Sequence, residues 1–410
     1  MPVVTDPATD FDPFAGDEDP DDSEDVVDAR PKAVFTCLEL TNFLSYKAAS
    51  LNFGSLVALV GPNASGKSNA VAAIKLLREI PFHGLATAIA RRGGFDQLRH
   101  RSSGHPYNPA LRISFRMGPT SAESYYDLRL RAVSGKRYEV KHEEGRVYLA
   151  DEMHWFKSDG HKVQYSDFTD SEDPRRTYSL PIPPGQSALT AGGGFATFFI
   201  ARVLQSMQTV EINPARVGEL QDPSSTREFE PDGSNVASMF EALPPPRRAE
   251  LVDQLSAIVG GIVKIDLQRL ADKVTLKFTQ ETASGRREFL AKQMSDGTLR
   301  AFSILLSTLH SSERPGLLIV EEPEVAIHLG ALRTLVDILV QHAAHSQVVI
   351  TTHSADIIDA LPLESLRVVW NEAGVSRIAP VAAHTQEPVR KGLITPGELL
   401  RSDALDPADS

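Results

Sequence analysis

The sequence predicts an α/β fold organised round a phosphate-binding loop, and three segments predict it. The first, GPNASGKSN from Gly61 to Asn69, lies between the apolar run Leu56–Val60 and a helical pattern in which Ala70, Ile74 and Leu77 recur at i, i+4 and i+7. The second, GLLIVEEPE from Gly316 to Glu324, is a short apolar run bounded by Pro315 and ending in acids. The third, SQVVITTHS from Ser346 to Ser354, is another apolar run, ending in Thr351, Thr352 and His353. Short apolar runs of this kind read as buried parallel strands, and open α/β sheets carry their ligands at the C-terminal ends of such strands.

Taken in chain order, residues 1–32 form an acidic tail. The first thirty residues hold eleven acidic side chains and one basic one, Arg30, a net of −10 out of −12 for the whole chain, so the remainder is near neutral. With Pro7, Pro13 and Pro20 and few apolar residues, the tail is expected to be disordered and solubilising. Cys37, the only cysteine, excludes an intrachain disulfide and makes no metal site alone; on the first strand it reads as a small core residue. The single thiol, an acidic N-terminus and the lack of any apolar run near twenty residues predict a cytoplasmic protein with no membrane span. Beyond the loop helix, RRGGFDQLRHRSSGH from Arg91 to His105 is the richest basic stretch. Three readings of it stay open: a DNA contact, a place near the nucleotide's own phosphates, and a solvated loop.

Residues 111–117, 125–133, 138–142 and 146–149 read as strands joined by polar turns such as SGKR and HEEG. A loop-rich stretch with Pro181, Pro183 and Pro184 follows, then helices over residues 197–207, 235–243 and 249–259 and strands over 264–269 and 273–278. A strand over 366–370 and a closing helix over 396–400 complete the pattern. The resulting domain plan is a tail, 1–32; an N-terminal half, 33–118; an inserted β and helical lobe, 119–228; a C-terminal half, 229–390; and a C-terminal helix and tail, 391–410. No internal repeat and no zinc-type spacing occurs, and the prolines and missing heptads between Lys67 and Ser295 exclude long coiled-coil arms.

The chemistry follows from residue types. Gly61, Pro62, Asn63, Ala64, Ser65, Gly66, Lys67, Ser68 and Asn69 are expected to wrap a nucleoside triphosphate's phosphates with inward backbone N–H groups, Lys67 supplying charge and Ser68 a hydroxyl for Mg²⁺. Glu321 is placed to act on Mg²⁺ or its waters, and Glu322 to orient and deprotonate the attacking water. His353 could meet the outermost phosphate or that water, the plainer alternative being a cap on the next helix. In KQMSDGTLR, Lys292 to Arg300, Ser295 and Gly297 precede an apolar helix; read alone this is an N-cap with a tight turn.

In this order the four segments resemble the ATP-binding head of the ABC superfamily: Walker A loop, signature motif, Walker B strand with catalytic glutamate, and switch histidine. The opening LELTNFLSYKAASLNFGSLVALVGPNASGKSN, Leu38 to Asn69, with MSDGTLR, EEPEVAIHL and VVITTHSADIID, resembles the RecF, SMC and OLD-like branch, and within it the stand-alone bacterial AAA-type ATPases. The likeness covers about residues 33–118 and 229–370. It implies a P-loop NTPase of ABC-head type carrying an antiparallel β subdomain and an inserted lobe, with ATP and Mg²⁺ as ligands. It also implies a homodimer that sandwiches two ATP, in which Ser295 and Gly297 act in trans and His328, just beyond the catalytic acid, touches the partner. Three departures stand out: glutamate at 321 where the wider superfamily has aspartate, Asp296 in place of a second signature glycine, and no clean Q-loop, Gln97 being the nearby candidate.

The resemblance places the chain in DNA maintenance or phage defence. Only 88 residues follow Glu322, too few for a fused Toprim nuclease besides the remaining head strands, so any cleavage is expected from a separately encoded effector nuclease. Two alternatives from other classes are kept: a slow-hydrolysing ATP-bound scaffold that gates a partner, and, with less support from the signature, a transporter ATPase.

Overall fold

The structure is a computed structural model that describes residues 33–101, 106–118, 122–134, 137–149, 152–166, 177–192, 194–226, 228–313 and 316–408. The acidic tail, and His105 of the basic stretch, lie outside the described residues.

The chain opens with a hairpin of β1 (Val34–Phe43) and β2 (Tyr46–Asn52), then β3 (Leu56–Val60), whose five apolar residues are all buried. After the loop helix Lys67–His83 come β4 (Ala110–Arg116), β5 (Ser124–Val133), β6 (Arg137–Leu149), β7 (Glu152–Ser158), β8 (Lys162–Ser166) and β9 (Thr177–Pro181). The helix Gly194–Gln205 leads to β10 (Met207–Val210); helices Val236–Ala242 and Pro245–Ile258 precede β11 (Ile262–Leu270), β12 (Lys273–Thr282) and β13 (Gly285–Leu290). The helix Asp296–Glu313, β14 (Leu317–Glu321), the helix Leu329–His342, β15 (Gln347–Thr352) and the helix Ala355–Ala360 follow, then β16 (Leu366–Glu372), β17 (Val375–Pro380) and the helices Ala383–Arg390 and Pro396–Arg401.

Three sheets result, in the orders β2-β1-β4-β5-β6-β7-β8-β9, β10-β14-β15-β3-β16-β17 and β11-β12-β13. In the six-stranded sheet β10, β14, β15, β3 and β16 run parallel and β17 turns back antiparallel. β3 shows why its run is wholly apolar: Leu56, Ala58 and Val60 enter one core, with the helices of the C-terminal half, while Val57 and Leu59 enter the other, with the loop helix and the eight-stranded sheet. Each such buried aliphatic side chain contributes roughly 1.5–3 kcal/mol, so a polar residue anywhere in β3 would damage one core or the other.

Several expectations need correction. The boundary at residue 118 does not separate a lobe, because β4 and β5 are hydrogen-bonded neighbours in one sheet and β10, from within the supposed lobe, is an edge strand of the parallel sheet. HEEG is not a turn but the middle of β6. Its polarity misled because Glu143, fully buried, has a complete donor set: Tyr126 Oη at 2.8 Å, Ser187 Oγ at 2.5 Å and the Ala188 N–H at 2.8 Å. Gly145 is required there, since a Cβ would come within 2.4 Å of Ile200 Cδ1 and Phe156 Cε1, where the helix Gly194–Gln205 lies on the sheet. Met207 belongs to β10 rather than to the preceding helix. Cys37 is only half-buried, its Sγ 3.1 Å from Ser50 Oγ, because it points to the open face of the hairpin.

Candidate functional site

The phosphate-binding loop joins β3 to the helix Lys67–His83. Gly61 at φ 153° and Gly66 at φ 121° hold conformations that favour glycine. Their packing is as demanding as their torsions: a Cβ on Gly61 would lie 2.1 Å from Val369 O, and one on Gly66 2.4 Å from Ser376 Oγ. The loop is thus moulded against β16 and β17 as well as shaped for phosphates. Ser376 Oγ lies 2.6 Å from Ser65 O and 2.7 Å from Ser45 Oγ, Asn69 Nδ2 donates to Ser45 Oγ at 2.7 Å, and Tyr46 Oη donates to Gly66 O at 2.9 Å. Burial pushes the Tyr46 phenol well above the usual tyrosine range, so it remains a donor. Ser45, Tyr46 and Ser376 were not singled out as site residues from sequence; only the LSYK string hinted at the first two.

Lys67 is 5% exposed and folds back on the loop, its ammonium donating to Gly61 O at 2.8 Å and Pro62 O at 3.0 Å. Burial lowers its pKa, with Glu322 and Glu324 opposing that shift. Pro62, Asn63, Ala64 and Ser68 are exposed. Ser65 Oγ is buried and has no hydrogen-bond partner among the described residues. A cradle with an orphan hydroxyl, a helix N-terminus and a lysine fits a polyphosphate.

The strand register assembles the rest. Val210 pairs with Val320, Glu321 with Thr351, and Thr352 with Val60, so Glu211, Glu321, His353 and Gly61 leave adjacent strand ends along one edge of the sheet. Glu322 stands at φ 43°, a left-handed conformation that costs a non-glycine residue roughly 1–2 kcal/mol. Its N–H donates to Thr351 O at 2.9 Å, which turns the side chain, 39% exposed, towards His353. His353 Nδ1 lies 3.6 Å from Glu322 Oε1 and 3.5 Å from Glu324 Oε1. Glu324 Oε1 also accepts from Thr352 Oγ1 at 2.7 Å and from the His353 N–H at 3.2 Å, fixing the segment that carries the imidazole. A cleft of about 530 Å³ opens there, lined by Gly61, Pro62, Asn63, Glu324, His353 and Arg401 among others. The structure therefore brings the loop and His353 to one cleft, with Glu322 and Glu324 at the imidazole.

Glu321 has a partner within the chain. Its carboxylate is 2.5 Å from Lys75 Nζ, which is also 2.5 Å from Glu211 Oε2. Burial raises the Glu321 pKa and Lys75 opposes the rise. For Lys75 burial works against the charge, but Glu321 and Glu211 outweigh it and hold the ammonium above the ordinary lysine range. Ser68 hydroxyl and Glu321 carboxylate are hard oxygen donors of the kind Mg²⁺ takes. Sequence reading missed Lys75 and Glu211. A lysine eight residues beyond Lys67 and an acid closing a four-residue edge strand carry no motif.

Ser295 and Gly297 behave otherwise. Ser295 Oγ accepts from the Thr298 N–H at 3.2 Å and lies 2.8 Å from Thr298 Oγ1, the N-cap reading. A Cβ on Gly297 would come 2.1 Å from Ala326 O, so this glycine lets the helix Asp296–Glu313 touch the chain just beyond Glu322. Arg300 ties the same helix to the acids, donating to Ile212 O at 3.1 Å and reaching Glu322 O at 3.5 Å. Among the described residues no hydrogen bond joins Ser295 or Gly297 to residues 61–69. His328 caps the helix Leu329–His342, its Nδ1 accepting from the Gly330 N–H. Gln97 is exposed in the short helix Phe95–Leu98, which is tied to the β1–β2 turn through Leu98 O; the place beside Glu321 belongs to Glu211. Of the basic stretch, Arg92 pairs with Glu79 at 2.9 Å, Arg99 reaches Pro106 O and Asp96, and His100 is buried. These three side chains are engaged within the fold, while Arg91 and Arg101 are exposed. No helix among the described residues is long and apolar enough to cross a membrane.

With this geometry in place, comparison with known proteins is informative. No curated protein matches the sequence significantly. Among solved structures the chain is similar to an SMC head bound to the C-terminal winged-helix domain of ScpA (14% identity, 86% of this chain and 99% of that one, TM-score 0.56). It is also similar to the SMC heads of Pyrococcus furiosus (12%, 88% and 99%, 0.55) and Pyrococcus yayanosii (11%, 90% and 99%, 0.53). At these identities the likeness establishes the fold, that of an SMC-type ATPase head. The family model described as "AAA domain, putative AbiEii toxin, Type IV TA system" matches residues 56–187 and 202–359, more than half of the chain, and the chain belongs to this AAA domain family.

Proposed function

We propose that the protein binds and hydrolyses ATP and that two copies close around two ATP molecules. The observation that carries this reading is the convergence of the phosphate loop and His353 on one cleft, with Glu322 and Glu324 within about a water's reach of the imidazole. Residues 61–69 cradle the phosphates, and Lys67 exchanges two carbonyls for phosphate oxygens, whose negative charge offsets the burial that lowers its pKa. Ser68 and Glu321 would hold Mg²⁺, which when bound neutralises phosphate charge. Glu322, half-exposed and strained toward the cleft, takes the proton of the attacking water; His353, held between Glu322 and Glu324, orients water or the outermost phosphate.

Ser295 and Gly297 serve the partner's nucleotide. The exposure of Ser295 and Asp296 at a helix N-terminus supports this, since the free N–H groups there suit an anion from outside the chain. ATP then favours the closed dimer and hydrolysis releases it. A defence role with a separately encoded effector is the biological setting we favour over DNA maintenance, because the family is described as a putative toxin of a type IV toxin–antitoxin system and the basic stretch is largely engaged internally. A slow-hydrolysing scaffold is the second reading, favoured by Glu321 being held by Lys75.

Size-exclusion chromatography with light scattering on Glu322→Gln, without nucleotide, with ADP, and with ATP and Mg²⁺, tests the proposal. A dimer formed only with ATP supports it, and the same mass in all conditions removes the sandwich. Short duplex DNA in a parallel set decides whether nucleic acid joins the closed form.

A further inference from the structure

Lys75 is a half-buried cation, its side chain 21% exposed, that the phosphate chemistry does not use. It stands seven residues beyond Ser68 on the loop helix, two turns along the same face. Its two carboxylate partners leave neighbouring parallel strands in register, Glu211 after β10 and Glu321 at the end of β14, each oxygen 2.5 Å from the ammonium. The two differ in exposure, Glu321 at 13% and Glu211 at 61%. Stranding one partner of a largely desolvated ion pair is costly, because the charge left behind has lost both water and its counter-ion. Here Lys75 can release Glu321 and remain paired to Glu211, so that cost is largely avoided.

We propose that Lys75 is a positioning residue that holds Glu321 away from the divalent cation until the cation arrives, and that Glu211 is the acceptor that keeps Lys75 when Glu321 turns. This rests on the reading of Ser68 and Glu321 as cation ligands. It accounts for glutamate at position 321: an aspartate, one methylene shorter, would reach less far along the loop helix toward Lys75. It also assigns Glu211 a role that depends on Lys75 and not on its own negative charge alone. The cation and the ammonium compete for one carboxylate, so cation binding and the Lys75–Glu321 pair exclude each other.

The test counts bound Mn²⁺ by electron paramagnetic resonance on the full chain with saturating ADP, a readout independent of turnover. Lys75→Met should tighten Mn²⁺ about tenfold and Glu211→Gln should weaken it about fivefold, the range for residues in direct contact. In the Lys75→Met background, Glu211→Gln should change Mn²⁺ affinity by less than about twofold, because no ammonium is left to hold. Through-space charge alone predicts additivity, with Glu211→Gln weakening Mn²⁺ equally in both backgrounds; that result overturns the proposal, as does unchanged affinity in Lys75→Met. If Lys75→Met does not fold, Lys75→Arg replaces it. Its forked guanidinium should grip Glu321 harder and weaken Mn²⁺, and an unaltered affinity again overturns the exchange. ADP binding that survives Lys67→Ala would instead remove the nucleotide site itself, and wild-type protein that binds ADP but no Mn²⁺ would overturn both the ligand assignment and the exchange.

Discussion

The phosphate loop and the signature turn use the same residues, a glycine and a serine at a helix start, yet the fold treats them oppositely. In the loop, Gly61 and Gly66 are pressed against β16 and β17, and Tyr46, Ser45 and Ser376 brace the backbone, so the cradle is finished by its own chain. In the turn, Ser295 and Asp296 are exposed, Ser295 is occupied by its own helix, and Gly297 lies against Ala326 and Ile327. A motif completed internally can work in one subunit. One left open at the surface has a helix N-terminus that suits an anion, and this contrast supports the proposal that the loop acts in cis and the turn in trans.

The largest expected effect on this contrast is at the loop. Lys67→Ala should weaken ATP binding at least a hundredfold, since a buried cation's contacts to phosphate are lost, and equilibrium binding of a fluorescent ATP analogue measures it; affinity within threefold of wild type would mean that the cradle does not hold phosphates. Next, Glu322→Gln should slow turnover about a thousandfold while leaving ATP affinity intact, the pattern of a group acting in the transition state. Phosphate-release assays alongside the binding measurement separate the two. His353→Ala should be milder, about ten- to a hundredfold in turnover, because Glu324 and Thr352 still hold the segment. Equal losses for Glu322→Gln and His353→Ala would make the imidazole an obligatory member of the proton path.

How far the sequence spoke follows the same division. Runs buried on both faces, β3, β14 and β15, were legible because three to five consecutive apolar residues leading into loop, acid or histidine read as buried parallel strands. The acids and His353 were legible because strand ends gather ligands. What was not legible lies where polarity and burial part company. Glu143, Glu144 and Gly145 looked like a turn because a fully buried, fully hydrogen-bonded carboxylate reads as surface. Glu211 and Lys75 escaped because their meeting depends on the register of β10 with β14, which four residues, MQTV, cannot announce. Gly297 reads in the sequence as part of a tight turn, whereas the 2.1 Å approach of a Cβ there to Ala326 O shows a steric demand from within the chain.

The smallest effect is the most discriminating, because the proposal adds a second, separable duty to the cap that Ser295 provides. As a cap it satisfies the Thr298 N–H, so Ser295→Ala should cost about 1 kcal/mol of stability, read as a small shift in the denaturant midpoint. In the proposed trans contact it would meet a second subunit's nucleotide, so the same change should weaken ATP-dependent dimerisation of the Glu322→Gln protein by about fivefold to tenfold, one hydrogen bond to a charged group. Ser295→Arg separates the duties further. Its bulk at an exposed helix start should leave ATP affinity of the monomer within about twofold yet block closure, since surface substitutions cost the fold little. If both variants lose only the cap's stability and still dimerise with ATP, the open turn is a helix start and nothing more, and the partner's nucleotide must be covered by some other surface.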